Sequence, residues 1–90
     1  MNPEELIKNA DLERIATQGT RIYQDIKDKY EENNKGKFLA IDIDSRDVYL
    51  AKTSAEAVMQ ARKEHSNKVF YVVKIGFDAA ETMANFIVKK

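Results

Sequence analysis

The apolar residues of this chain change their spacing from a helical to a strand period at a short polar stretch over residues 33–36. Before this stretch, apolar side chains recur at intervals of three and four from Leu12 to Tyr30, which places them on one face of a helix. After it, apolar residues alternate between two faces over 37–44, as they do on a strand. The chain is therefore restricted to folds that combine a long amphipathic helix with a small sheet.

The first helix is predicted over about residues 3–33. Asn2 is a suitable N-cap and Pro3 suits the first helical position. Asp11 can also cap a fresh start, so residues 3–10 alternatively form a separate turn. Gly19 lies on the apolar stripe and costs up to about 1 kcal/mol of helix propensity; it marks either a close helix crossing or a tolerated flaw.

The segments after this helix predict a ββαβ unit over about 37–76. Two short strands joined by a turn at 45–47 form an antiparallel hairpin, and Thr53 and Glu56 have the spacing of a capping box that starts a second helix. The run over 69–75 is almost continuously apolar, so the third strand is predicted to be central and covered on both faces. Strand orders 2-1-3 and 1-2-3 both remain open.

A final helix is predicted over about 78–89, because Asp78 and Glu81 repeat the capping spacing after Gly76. The predicted order is α-β-β-α-β-α in a single α+β domain over 1–90, with helices packed on a three-stranded sheet.

Composition excludes several functional classes. Fifteen basic and fifteen acidic residues cancel, so no net field attracts nucleic acid or anionic lipid. The chain has no cysteine, which excludes disulfides and thiolate chemistry. It lacks a signal-peptide pattern and any apolar run near the roughly 20 residues of a membrane span. We expect a soluble, cytoplasmic protein without membrane contact.

Two acidic residues are candidate metal ligands. Asp42 and Asp44 are two positions apart, so on a strand they point to the same side. Together they offer the oxygen ligands that Mg²⁺ prefers, as in a metal-dependent hydrolase or nuclease. The favoured interpretation is a hairpin turn, since Asp and Ser cap local backbone groups. We expect no metal and no cofactor.

No set of residues in the sequence converges as a catalytic apparatus. His65 is the only histidine and lies at the predicted end of the second helix. Neighbouring Glu64 is not a suitable partner, because adjacent helical residues face different ways. A structural role for His65 is favoured, and the protein is not expected to be an enzyme.

The apolar stripe of the first helix is the candidate interface. Tyr23 and Tyr30 are seven residues apart on its margin, and tyrosines are common in interfaces. A homodimer would cover an apolar face left open by so small a core. The candidate interface residues are Ile15, Ile22, Tyr23, Ile26 and Tyr30.

Basic residues leave weak nucleic-acid binding as an alternative, disfavoured by the zero net charge. The residues concerned are Lys35, Lys37, Lys89 and Lys90, with Phe38 and Tyr71 as accompanying aromatic residues.

Motifs over residues 36–76 resemble a family of small prokaryotic proteins that has no assigned activity. The pattern GK-F-x-A-I-D, an aromatic strand, T-x-x-E-A and FY-V-x-(K/R)-IG is matched at 36–42, Tyr49, 53–57 and 70–76. At 66–68 the sequence is Ser-Asn-Lys, where the family often has a proline. This resemblance implies a fold and no activity.

The second helix also resembles the T-x-x-E-A-x-x-x-A-(K/R) helix in the amino-terminal domain of HicB-type antitoxins. That domain is a partial ribonuclease-H-like unit and binds a toxin; the DNA-binding domain of those antitoxins is not matched here, so no repressor role is implied. The matching residues are Thr53, Glu56, Ala57, Ala61 and Arg62.

The leading prediction is a non-enzymatic protein-interaction module that binds itself or another protein chain, homodimeric or antitoxin-like. A metal-dependent hydrolase or nuclease that uses Asp42 and Asp44 is the first alternative, and a weak nucleic-acid binder is the second.

Overall fold

The computed structural model describes residues 11–77. These residues form two helices and a three-stranded antiparallel sheet, which confirms the predicted α+β class. The predicted helix over 78–89 and the alternatives for 3–10 lie outside the described residues. In chain order the elements are α1 (Leu12–Asn34), β1 (Phe38–Ile41), β2 (Val48–Ala51), α2 (Ser54–Glu64) and β3 (Tyr71–Lys74).

Helix α1 begins directly after Asp11. The Asp11 carboxylate accepts a hydrogen bond from the Arg14 N–H at 3.0 Å, and the backbone of Asp11 is not helical. A continuous helix through residue 11 is therefore wrong, because this carboxylate caps a new helix start. Of the two helix starts considered, the one at Asp11 is present.

The sheet has the strand order β2-β1-β3, with both pairings antiparallel. In the register, Leu39 of β1 lies opposite Leu50 of β2 and Val73 of β3. The prediction that the third strand is central is therefore wrong. A continuous apolar run indicates that both faces of a strand are buried, but it does not indicate how many neighbouring strands it has. Strand β3 lies at the edge of the described sheet, and Val72 and Val73, which face opposite sides, are both fully buried.

The two helices cover opposite faces of the sheet and form two separate cores. Side chains of α1 pack with one face of the strands and those of α2 with the other. The α1 core includes Ile15, Ile22, Tyr23, Leu39, Ile41, Tyr71 and Val73. The α2 core includes Ala40, Ala57, Val58, Ala61, Phe70 and Val72.

Gly19 allows α1 to approach β3 closely. A Cβ atom at residue 19 would overlap the ring of Tyr71. Gly19, on the apolar stripe, therefore marks the place where α1 crosses closely over β3. The Thr20 hydroxyl and the Tyr71 hydroxyl also share a hydrogen bond of 3.1 Å. One turn further along, the Tyr23 hydroxyl accepts the Gly76 N–H at 3.1 Å.

Helix α2 begins at a capping threonine and ends at His65, which contacts residues of the hairpin turn. The Thr53 hydroxyl accepts the Glu56 N–H at 3.1 Å, which confirms the predicted cap. The helix ends at His65, whose N–H donates to the Ala61 carbonyl at 2.9 Å. Asn67 then adopts a left-handed conformation with φ 60°. None of the helices over residues 11–77 is both long and apolar enough to cross a membrane.

Candidate functional site

The turn between β1 and β2 is organised by Asp42. Its backbone N–H donates to the Asp47 carbonyl at 3.0 Å, and its own carbonyl accepts the Arg46 N–H at 2.7 Å. The Asp42 side chain is only 1% exposed and accepts the Ser45 hydroxyl at 2.9 Å. These contacts are those of a hairpin turn that an aspartate closes with its own carboxylate.

Asp42 and Asp44 lie in the turn after β1 and not on a strand, so the strand spacing used in the prediction does not apply; their carboxylates converge on a lysine of this chain. The Lys68 Nζ lies 2.7 Å from Asp42 Oδ1 and 2.9 Å from Asp44 Oδ2. Arg14 from α1 adds a contact of 2.8 Å to Asp44 Oδ1. A cation therefore already lies between the two candidate metal ligands, and Mg²⁺ would have to displace an ammonium group that both carboxylates bind.

The pKa values of these groups shift in the directions expected for ion pairs. Burial by itself raises the pKa of Asp42, but hydrogen bonds from Lys68 and Ser45 lower it overall. The hydrogen bonds from Lys68 and Arg14 lower the pKa of Asp44. Hydrogen bonds to both carboxylates raise the pKa of Lys68. All three groups are therefore charged at neutral pH.

His65 lies between two carboxylates on its two ring nitrogens. Nδ1 is 3.3 Å from Asp42 Oδ2, and Nε2 is 2.9 Å from Asp47 Oδ2. Sequence reasoning missed both partners, because the hairpin turn and the end of α2 meet only through the tertiary fold. We refer to Asp42, Asp47, Glu64 and His65 as the His65 cluster.

Glu64 belongs to this cluster although it is adjacent to His65 in sequence. Donor atoms of Asp47, Glu64 and His65 all lie within 4.8 Å of one another. Adjacent residues face different ways only within a helix, and the His65 backbone is not helical (φ −131°, ψ 75°). Its ring therefore comes to the same side as Glu64.

Tyr49 of β2 completes the surroundings of the cluster. Its hydroxyl donates to Glu64 Oε1 at 3.2 Å, and its ring meets the His65 ring edge-on with 6.3 Å between centroids. Desolvation and the hydrogen bond to Glu64 raise the pKa of Tyr49. The hydroxyl therefore remains a hydrogen-bond donor at neutral pH.

The outer side of β2 is a second feature of this end of the molecule. The Asp42 N–H donates to the Asp47 carbonyl, which marks the hydrogen-bonded position of the ladder, and such positions alternate along an antiparallel pair. Val48 and Leu50 therefore direct their backbone N–H and C=O groups away from β1. Within residues 11–77 no strand pairs with that side. We call these outward groups and their side chains the β2 edge.

The candidate interface residues on α1 lie against the sheet of the same chain. Ile15, Ile22 and Tyr23 are buried in the α1 core, while Ile26 and Tyr30 are partly buried at its margin. Packing within the chain accounts for the stripe, and an interface role for these residues stays a prediction.

The structure describes only some of the candidate nucleic-acid residues, and one of them is buried. Tyr71 is buried and has no face available for a base, and Lys37 contacts Asn34 at 3.3 Å. Lys89 and Lys90 lie outside the described residues.

Comparison of the chain with protein-family models, with curated proteins and with solved structures gives no match. The resemblances drawn from motifs at 36–76 and from the second helix therefore stay predictions.

Proposed function

We propose that this protein is an interaction module that pairs with a second copy of itself through the β2 edge. The observation that supports this proposal is the outer side of β2, where Val48 and Leu50 direct hydrogen-bonding groups outward and no strand within residues 11–77 pairs with them. Natural proteins usually protect such edges with charged residues or proline. The sequence of Val48–Ala51 contains neither.

Symmetry favours a copy of the same chain as the partner. A two-fold axis through Tyr49 would place Val48 opposite Leu50 of the second copy, so each copy donates and accepts the same hydrogen bonds. The two sheets would then join into one six-stranded sheet. Val48 and Leu50 also pack partly buried at the margin of the α1 core, so pairing would cover apolar surface as well.

An antitoxin-like role is the heterologous form of the same proposal. The resemblance of the second helix to HicB-type antitoxins implies a protein partner, and a strand of such a partner could add to the same edge. The predicted cytoplasmic location stays a prediction.

The test is the oligomeric state of the Leu50→Pro variant. Proline removes the outward N–H of Leu50 and leaves the β1 ladder intact, since that N–H does not face β1. We expect the dimer dissociation constant to rise roughly thirtyfold, or about 2 kcal/mol, from the lost hydrogen bond in each copy. Sedimentation equilibrium over a wide concentration range measures this change.

Leu50→Val is the matched control, because it trims the side chain but keeps the N–H, and it should dimerise like the parent chain. Amide hydrogen exchange adds a positional readout: the Val48 and Leu50 amides should be protected only where the dimer is populated. A parent chain that stays monomeric at every concentration, or a dimer in which these two amides exchange freely, would refute the proposal.

A further inference from the structure

We infer that Asp47, Glu64 and His65 form a binding site for a divalent transition-metal ion, with Zn²⁺ the best match. This site differs from the magnesium site considered at Asp42 and Asp44. Its metal-binding nitrogen comes from His65, and its acidic members contact neither Lys68 nor Arg14 among the contacts of residues 11–77.

The two ring nitrogens of His65 provide the first observation. Both lie near a carboxylate oxygen: Nδ1 is 3.3 Å from Asp42 Oδ2, and Nε2 is 2.9 Å from Asp47 Oδ2. Asp42 is buried and held in place by Lys68 and Ser45, whereas the Asp47 side chain is exposed. A metal ion bound between Nε2 and Asp47 would replace the hydrogen that this contact otherwise shares.

Charge distribution provides the second observation. Asp42 and Asp44 are neutralised by Lys68 and Arg14. Asp47 and Glu64 have no lysine or arginine partner within residues 11–77; their side-chain partners there are His65 and the Tyr49 hydroxyl. The two carboxylates carry a formal charge of minus two, which a divalent ion balances.

The outer contacts of the ligands match those of known metal centres. Metal-bound histidines commonly donate their other ring N–H to a carboxylate, which fixes the tautomer and the ring orientation. The Asp42 carboxylate, with Oδ2 3.3 Å from His65 Nδ1, is positioned for that role. The Tyr49 hydroxyl binds Glu64 Oε1 and leaves Oε2 available.

The donor atoms must adjust to hold an ion: the 2.9 Å between His65 Nε2 and Asp47 Oδ2 must lengthen, and separations of up to 4.8 Å must shorten. They lie within 4.8 Å of one another, whereas tetrahedral Zn²⁺ with bonds of about 2.0–2.2 Å brings its ligands roughly 3.3–3.6 Å apart. The Asp47 side chain is 51% exposed, so it can make this adjustment by rotation. Three protein ligands leave a fourth position for water.

The choice of ion follows from the donor set. Imidazole nitrogen together with carboxylate oxygen suits Zn²⁺ and its first-row neighbours, while Mg²⁺ prefers oxygen ligands and octahedral geometry. We therefore expect Zn²⁺ to bind in the presence of excess Mg²⁺.

The test is calorimetric titration of the full chain, without a histidine tag, with zinc chloride. We expect one ion per chain, with binding weakened at least about tenfold in His65→Gln and in Asp47→Asn and by a comparable factor in Asp42→Asn. Asp44→Asn is the matched control, since Asp44 lies in the same turn but binds Lys68 and Arg14; its affinity should stay within about twofold. Circular dichroism confirms that each variant is folded.

Because His65 is the sole histidine, the imidazole nitrogen resonances give an unambiguous second readout. Zinc should shift the Nε2 resonance and leave Nδ1 protonated. Absence of zinc binding, equal weakening by Asp44→Asn and Asp47→Asn, or a titration in which His65 Nε2 does not respond to zinc would each overturn the inference.

Discussion

Lys68 connects three parts of the chain through a single ammonium group. It binds the buried carboxylate of Asp42 and the exposed carboxylate of Asp44, and Asp44 in turn binds Arg14 of α1. Removing one partner of such a pair leaves the buried charge uncompensated, which costs more than the pair itself contributes. Lys68 is therefore a key residue for the stability of the hairpin turn.

Replacement of Lys68 by methionine should lower the free energy of unfolding by about 2 kcal/mol, because Asp42 would remain buried without its closest cation. The value is below that for a fully buried pair, since a third of the Lys68 side chain is exposed. Urea denaturation measures the change. Lys63→Met on the exposed side of α2 is the control and should stay within about 0.5 kcal/mol; equal effects of the two changes would contradict the role of Lys68.

The pH dependence of stability follows from the same ion pairs. The pKa values of Asp42 and Asp44 are lowered from 3.8 in the folded chain, so their contribution is complete above that value and is lost as the pH falls through the folded pKa values. The pKa of Lys68 is raised from 10.5, so its contribution is complete below 10.5 and is lost as the pH rises through the folded value.

Unfolding free energies of the parent chain should therefore fall at both ends of the pH range, and Lys68→Met should show a smaller fall at each end. Denaturation across pH measures both curves. A parent and a variant with parallel curves would show that other groups control the pH dependence.

Among the elements, α1 and β3 have the closest approach. Gly19 lies directly against the ring of Tyr71, and hydrogen bonds link Thr20 to Tyr71 and Gly76 to Tyr23. The contact between these two elements therefore depends on the absence of a side chain at one helix position.

Gly19→Ala should destabilise the protein even though alanine is the better helix former. Overpacking costs about 1–3 kcal/mol, against a propensity gain of up to about 1 kcal/mol, so we expect a net loss near 1 kcal/mol in thermal or urea unfolding. Thr17→Ala, at an exposed position of the same helix, should be neutral or slightly stabilising. A more stable Gly19→Ala variant would show that Tyr71 can move aside.

Local patterns in the sequence predict the elements because their causes are local. The stripe on α1 and the cap at Thr53 depend on neighbours a few residues away. The central position of β1 could not be predicted. The apolar run of β3 indicates that both of its faces are buried, but it does not indicate whether strands pair with both of its edges. In the site, Asp42 and Asp44 lie in the turn after β1, so their convergence depends on the turn and on Lys68 rather than on strand geometry. The approach of His65 and Lys68 depends on how α2 crosses the sheet.

At the scale of the whole molecule, the net charge is zero, but basic and acidic side chains are distributed unevenly around the hairpin turn. Arg14, Arg46 and Lys68 pair with acidic residues of α1 or the hairpin turn. Within residues 11–77, Asp47, directly before β2, and Glu64, at the end of α2, have no lysine or arginine partner, and Asp47 lies next to the β2 edge. The two proposals therefore concern neighbouring parts of one end of the molecule and are tested by different variants.

The contact between α1 and β3 also bears on how the chain is made. A ribosome produces α1 before the hairpin, α2 and β3, yet the strand that α1 meets most closely is the last described element to emerge. During synthesis of residues 35–70 the apolar stripe of α1 has no completed sheet to cover. In that interval a chaperone, or a second nascent chain, would encounter a surface that the finished molecule hides.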